Sequence, residues 1–98
     1  MVIEHAVLNV KAGQAEAFEV AMREAKPLIA ASSGFEGIEV RPSVREENQY
    51  LLIVRWRDIA AHEDGFRKSE RYGKWRELLH GFYDPMPKVT YFEEPIVS

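Results

Sequence analysis

The chain has 98 residues, no cysteine and a formal charge of −3, with acidic and basic side chains interspersed. One domain over residues 1–98 is expected, and disulfides, thiolate metal sites and cysteine nucleophiles are excluded. No Lys/Arg run points to nucleic acid, no basic amphipathic helix to a membrane surface, and no apolar run reaches membrane-spanning length, so a cytoplasmic protein without nucleic-acid or membrane partners is expected.

Val2 to Val10 reads as a strand whose two alternating residue sets, Ile3/His5/Val7/Asn9 and Val2/Glu4/Ala6/Leu8/Val10, are both largely apolar, so both of its faces should be covered. Gln14 to about Ser32 has a helical stripe of Phe18, Met22, Ala25 and Ile29. Pro27 should kink this helix or end it early. Phe35 to Val44 is a second strand, Glu46-Glu47-Asn48 a hairpin loop and Gln49 to Arg57 a third strand, with Tyr50, Leu52, Val54 and Trp56 on one face. Asp58 can cap a short helix from Ile59 to about Arg67, and Ser69 a second from Glu70 to about Phe82. The prolines of Asp84-Pro85-Met86-Pro87 favour an extended turn before a last strand, Lys88 to Glu93.

The order β-α-β-β-α-β predicts an α+β, ferredoxin-like fold: a four-stranded antiparallel sheet with helices on one face. The other face would carry an apolar set of strand 1 with Leu51 and Ile53, too much to leave wet. A second copy packing sheet to sheet would cover it, so a homodimer is expected.

On the second helix, Tyr72, Trp75, Leu79 and Phe82 share a face. A wall of rings beside a titratable group suits a flat organic ligand, although such a stripe is more often core. His62 shares a face with Ile59 and Phe66, which would keep it dry; it is a core histidine or a proton acceptor at a cavity mouth. His80 is near a helix end, where the dipole favours its cation, and a pocket role is equally open. His5 and Asn9 look into the cavity if their face of strand 1 meets the helices, and into an interface if it does not. Trp56 reads as a core ring with a bonded N–H. The histidines lack metal-helix spacing and no phosphate-cradling glycine loop or nucleophile elbow is present, so no metal or cofactor is expected.

Glu4-His5-Ala6, Ala12-Gly13-Gln14-Ala15-Glu16-Ala17-Phe18, Tyr50-Leu51-Leu52-Ile53-Val54-Arg55-Trp56, Ala61-His62, Phe66-Arg67-Lys68-Ser69, Tyr72, Trp75-Arg76-Glu77-Leu78-Leu79-His80 and Phe82-Tyr83-Asp84-Pro85 follow one another across nearly the whole chain. In this order they resemble the antibiotic biosynthesis monooxygenase (ABM) domain, a dimeric α/β barrel. The resemblance implies a homodimer with sheets face to face and a pocket between sheet and helices in each protomer. It also implies cofactor-free oxidation of a small aromatic, phenolic or quinol substrate by O2. On that reading His62, His80 and Asn9 are the catalytic candidates, with His62 favoured as base and Asn9 as anion donor; His5, Phe66, Tyr72, Trp75 and Phe82 would contact substrate. A haem-degrading branch uses an Asn, a Trp and a His; here the corresponding Trp and His positions hold Phe66 and Arg76, so haem degradation is not expected. A non-catalytic binding or stress-response dimer, and a cofactor-free isomerase or lyase, are the alternatives on the same fold.

Overall fold

The computed structural model describes residues 1–98. Strand β1 (Val2–Asn9) leads into helix α1 (Ala15–Ala30), followed by β2 (Phe35–Pro42) and β3 (Gln49–Trp56). A π-helical turn (Ala61–Phe66), helix α2 (Glu70–Leu79), a 3₁₀ turn (His80–Phe82) and β4 (Thr90–Phe92) complete the chain. The strands form one antiparallel sheet in the order β2-β3-β1-β4. This is the expected ferredoxin-like α+β arrangement.

The pleat sends Glu4, Ala6 and Leu8 of β1 and Tyr50, Leu52, Val54 and Trp56 of β3 to the helix side, where all are buried. Register confirms the shared face: Glu4 lies opposite Val54, Ala6 opposite Leu52 and Leu8 opposite Tyr50. The predicted stripe of α1 packs onto them, with Phe18, Ala25 and Ile29 essentially inaccessible. The opposite face carries Ile3, His5, Val7, Leu51, Ile53 and Phe92, and here Val7 and Phe92 are 40% and 56% exposed.

Several local expectations are corrected. Pro27 neither breaks α1 nor ends it there; Ala25 and Ile29 on either side stay in the core and carry the helix on to Ala30. Burial of those flanking residues outweighs the backbone bond that proline cannot make. Ser69 stands at the start of α2, but its hydroxyl donates back to the Phe66 carbonyl at 2.6 Å instead of capping. Asp58 does cap its turn, accepting the Ala61 N–H at 2.8 Å. β4 is three residues long, shorter than the Lys88–Glu93 segment expected.

The π turn replaces the regular helix expected from Ile59 to Arg67. Its wide bond runs from the Arg67 N–H to the His62 carbonyl at 2.9 Å. Gly34 makes room for it: a Cβ there would stand 2.7 Å from the Ala61 Cβ, and its φ of +85° suits glycine.

Candidate active site

The widened turn aims both His62 and Phe66 at the sheet, where they are 4% and 1% exposed. His62 stacks on Trp56 with ring centroids 5.2 Å apart, and Phe66 continues the layer. Tyr72 and Trp75 of α2 meet Phe66 edge-on at 5.4 and 5.6 Å. These rings wall a cavity of about 60 Å³ whose floor is Glu4, Ala6, Leu8 and Leu52, with His80, Tyr83 and Arg67 on its border. A benzene-sized guest needs about 150 Å³. On that scale the cavity as it stands is smaller than a single ring; half-buried Tyr72 and His80 and exposed Arg67 and Val89 are among its lining residues.

Glu4 is the unusual group. Its carboxylate is 4% exposed on a strand set that is otherwise apolar. The Trp56 N–H donates to its Oε1 at 2.9 Å, and His62 Nε2 lies 3.4 Å from the same oxygen. Burial pushes the Glu4 carboxyl up, against the smaller opposing effects of the Trp56 bond and the Arg67 charge. Burial, and then the Arg67 charge, push His62 down to about 4. At neutral pH the imidazole is therefore uncharged, and its approach to Glu4 is not an ion pair. The other ring nitrogen, Nδ1, shares a 2.5 Å hydrogen bond with the Tyr91 hydroxyl, which also donates to Glu63 Oε2 at 3.3 Å.

His80 is lowered as well, by burial and by Arg76 and Arg67. The expected dipole-favoured cation is thus opposed by two neighbouring guanidiniums and partial desolvation. Arg67 stands over the Tyr72 ring at 5.7 Å. It is the cation bordering the cavity, suited to a developing oxyanion.

The structure brings together His62, His80, Phe66, Tyr72 and Trp75 around this cavity. It does not bring the remaining candidates there. His5 and Asn9 lie on the open sheet face, where His5 meets Phe92 edge-on at 5.5 Å and Asn9 Oδ1 accepts from Gln49 at 3.3 Å. Strand alternation puts them opposite Glu4, Ala6 and Leu8, so neither faces this cavity. Phe82 packs on Phe18, with centroids 5.8 Å apart, outside the cavity wall. Ile59 is 40% exposed and does not shield His62; Trp56 and Phe66 do. Glu4, Arg67 and Tyr91 were not among the sequence candidates. Only Glu4 left a signal: a carboxylate within the set Val2, Ala6, Leu8, Val10 must be buried with whatever that set faces.

A larger cleft of about 370 Å³ lies between α1 and β2, with Phe18, Met22, Ile38 and Val40 among its lining residues. Its Tyr50 hydroxyl already donates to Glu19 at 2.7 Å, and burial with that carboxylate raises the phenol to about 12. No buried imidazole or raised carboxyl faces it, so the smaller cavity is the better place for proton chemistry.

Comparison with known proteins agrees with this architecture. The sequence model of the Antibiotic biosynthesis monooxygenase family matches residues 1–78. The uncharacterised protein YczJ of Bacillus subtilis (strain 168) is 39% identical over 94 residues, spanning 96% of this chain and 99% of its own. A Bordetella bronchiseptica structure provisionally named an antibiotic biosynthesis monooxygenase superposes with a TM-score of 0.91 at 26% identity, over 97% of each chain. SnoaB, a cofactor-independent oxygenase from Streptomyces nogalater, has a TM-score of 0.85 at 17% identity, over 98% of this chain and 94% of its own; at that identity it speaks for the fold alone. The family-model match over residues 1–78, with a superposition over 97% of the chain, places this chain in the antibiotic biosynthesis monooxygenase family.

Proposed function

We propose that the chain is a cofactor-independent monooxygenase of a small, single-ring phenol or quinol, working in the cavity between sheet and helices. The observation that carries this reading is the buried Glu4–His62 pair at the floor of an aromatic-walled cavity. A carboxyl whose proton affinity is raised by burial is a better base than an ordinary one, and a neutral imidazole beside it can share the proton. The reading moves the base from His62 alone to the pair. His62 has one nitrogen toward Glu4 and the other on Tyr91, and a group lowered to about 4 is by itself a weak acceptor for a phenol.

The chemistry balances without a cofactor. Glu4 takes a proton from the substrate, and the electron-rich anion passes an electron to O2. Recombination forms a carbon–oxygen bond, the peroxide takes a proton, and loss of water leaves the oxidised ring. One oxygen atom ends in product and one in water. Tyr72, Trp75 and Phe66 cage the ring, Arg67 stabilises the anion and His80 contacts the substrate oxygen.

The oxygenase reading is tested by oxygen uptake with a panel of monocyclic quinols and phenols, without added metal or flavin. Uptake matched by oxidised product supports it. Binding without turnover favours a non-catalytic binding or stress-response dimer, and conversion without oxygen consumption favours an isomerase or lyase.

The protein is further proposed to work as a homodimer closed over the open sheet face, which in one chain leaves Val7 and Phe92 in water beside Ile3, Leu51 and Ile53. Val7→Arg places a charge in that contact. The wild-type chain should sediment at twice its chain mass and the variant at once, both folded; a monomeric wild type removes this part of the reading. No helix is long and apolar enough to cross a membrane, and a cytoplasmic location is part of the same proposal.

A further inference from the structure

We infer that Tyr91 and Glu63 connect the Glu4–His62 pair to solvent, so that a proton taken up in the cavity is carried to Glu63 and later returned. This extends the oxygenase reading for its use, although its test does not depend on that reading.

The four groups stand in one line, joined by two hydrogen bonds and, at the inner end, by the Glu4–His62 approach. Glu4 faces the cavity, His62 Nε2 is 3.4 Å from Glu4 Oε1, Nδ1 is 2.5 Å from the Tyr91 oxygen, and that hydroxyl is 3.3 Å from Glu63 Oε2. The first two residues are almost inaccessible, Tyr91 is half-buried and Glu63 is exposed. The line therefore runs from the dry interior to water. Its hydrogen bonds also have one consistent polarity. When Tyr91 donates to Glu63, its oxygen accepts from the His62 Nδ1–H, and Nε2 is left with a lone pair facing Glu4. A proton arriving on Glu4 can then pass to Nε2 as the Nδ1 proton moves to Tyr91 and the phenol proton to Glu63. Glu4, His62 and Tyr91 each take one proton and give one, Glu63 takes the last, and no group in the interior need hold an extra charge.

Such a line does not reset by itself, because the transfer leaves His62 in its other tautomer. Ring rotation is obstructed, since His62 is stacked on Trp56 and also packs on Phe66. The reverse transfer restores the first tautomer. A reaction that removes one proton from its substrate and returns one to a peroxide suits this shuttle, because it needs no net proton flow. Passing the proton out through Glu63 in the interval keeps the substrate anion from being reprotonated before it meets O2. A purely structural role accounts for less of the arrangement: the Trp56 N–H already satisfies Glu4, and two ionisable groups side by side in a core are costly where apolar residues would serve.

The test uses the full chain with 15N-labelled histidine at neutral pH, without substrate. NMR reads the rate at which the His62 ring N–H exchanges with water in wild type, Tyr91→Phe and Glu63→Gln, while backbone amides of β1 and β3 record general opening. Both variants should slow ring exchange by roughly tenfold or more, as expected when a proton-transfer partner is lost, with the amides unchanged. An unchanged or faster ring exchange in Tyr91→Phe, with unchanged amides, overturns the inference. Should Tyr91→Phe loosen the sheet, exposed Glu63→Gln decides alone: slowed exchange supports the path and an unchanged rate overturns it. Slowed exchange in a protein that consumes no oxygen with any quinol would keep the path and remove the oxygenase use proposed for it.

Discussion

The two faces of the sheet carry one carboxylate each whose titration is displaced, and in opposite directions. Glu4, on the helix side, is raised by burial. Glu39, on the open side, lies opposite Ile53 and is held below the usual carboxylate range by Arg41 and Arg55, the latter 3.0 Å away. Both residues sit in strands of the same sheet. The difference is what covers them: rings and helices remove water from Glu4, whereas Glu39 keeps water and has two guanidiniums. Burial without a full counter-charge makes a group that holds a proton more readily than an ordinary carboxyl. Exposed pairing makes a permanently charged one.

The contrast is broken most severely by making the two carboxylates neutral. Under the proposed mechanism, Glu4→Gln should lower oxygen uptake by roughly 10²–10⁴-fold, the usual cost of losing a general base. Thermal melting should show the fold retained. Equal activity in the variant would remove Glu4 from the chemistry.

A second prediction uses the pH dependence of stability. His62 is lowered from 6.5 to about 4 on folding. The unfolded chain therefore binds the extra proton first, and stability is lost as pH falls from 6.5 toward 4. Glu4, being raised, opposes this over part of the same range. His62→Gln removes the imidazole contribution, so the wild-type loss between pH 6.5 and 4 should exceed the variant's by up to about 3 kcal/mol. Denaturant unfolding at several pH values measures it; parallel curves would mean that His62 titrates normally.

Arg67→Ala sharpens the comparison at the cavity mouth. Loss of an anion-stabilising donor should lower turnover by roughly 10²-fold. It should also raise the His62 and His80 pKa values, since the Arg67 charge lowers both. NMR titration of the two imidazoles checks this second effect without any substrate. The smallest effect belongs to the open face: Glu39→Gln should leave both the melting temperature and oxygen uptake nearly unaltered. A loss of activity there would mean that the open face takes part in the site.

How far the sequence could be read depends on the range of the interaction involved. The α1 stripe, the β3 alternation and the ring series Phe66, Tyr72, Trp75 were legible, because each is a local period with one buried side. What surrounds Asn9 and Phe82 was not legible, for the same reason. Period alone says that Asn9 shares a face with His5 and that Phe82 follows Leu79, but not what each face meets. The π turn was invisible, since a regular helix and a widened one place His62 and Phe66 on almost the same side. Tyr91 was invisible too: its neighbours on β1 and the π turn are 87 and 29 residues away in the chain.

The sequence by itself determined the order of strands and helices, the family and the residues that avoid water. Alternation, helical period and turn chemistry are set by neighbours within a few positions. Only the tertiary structure decided that the Glu4 side of β1, and not the His5 side, meets the helices. It alone brought the Trp56–Glu4 and His62–Tyr91 hydrogen bonds side by side, with His62 Nε2 3.4 Å from Glu4 Oε1. Their proton affinities depend on which groups lose water together and which charges approach them, and both arise only when distant segments pack.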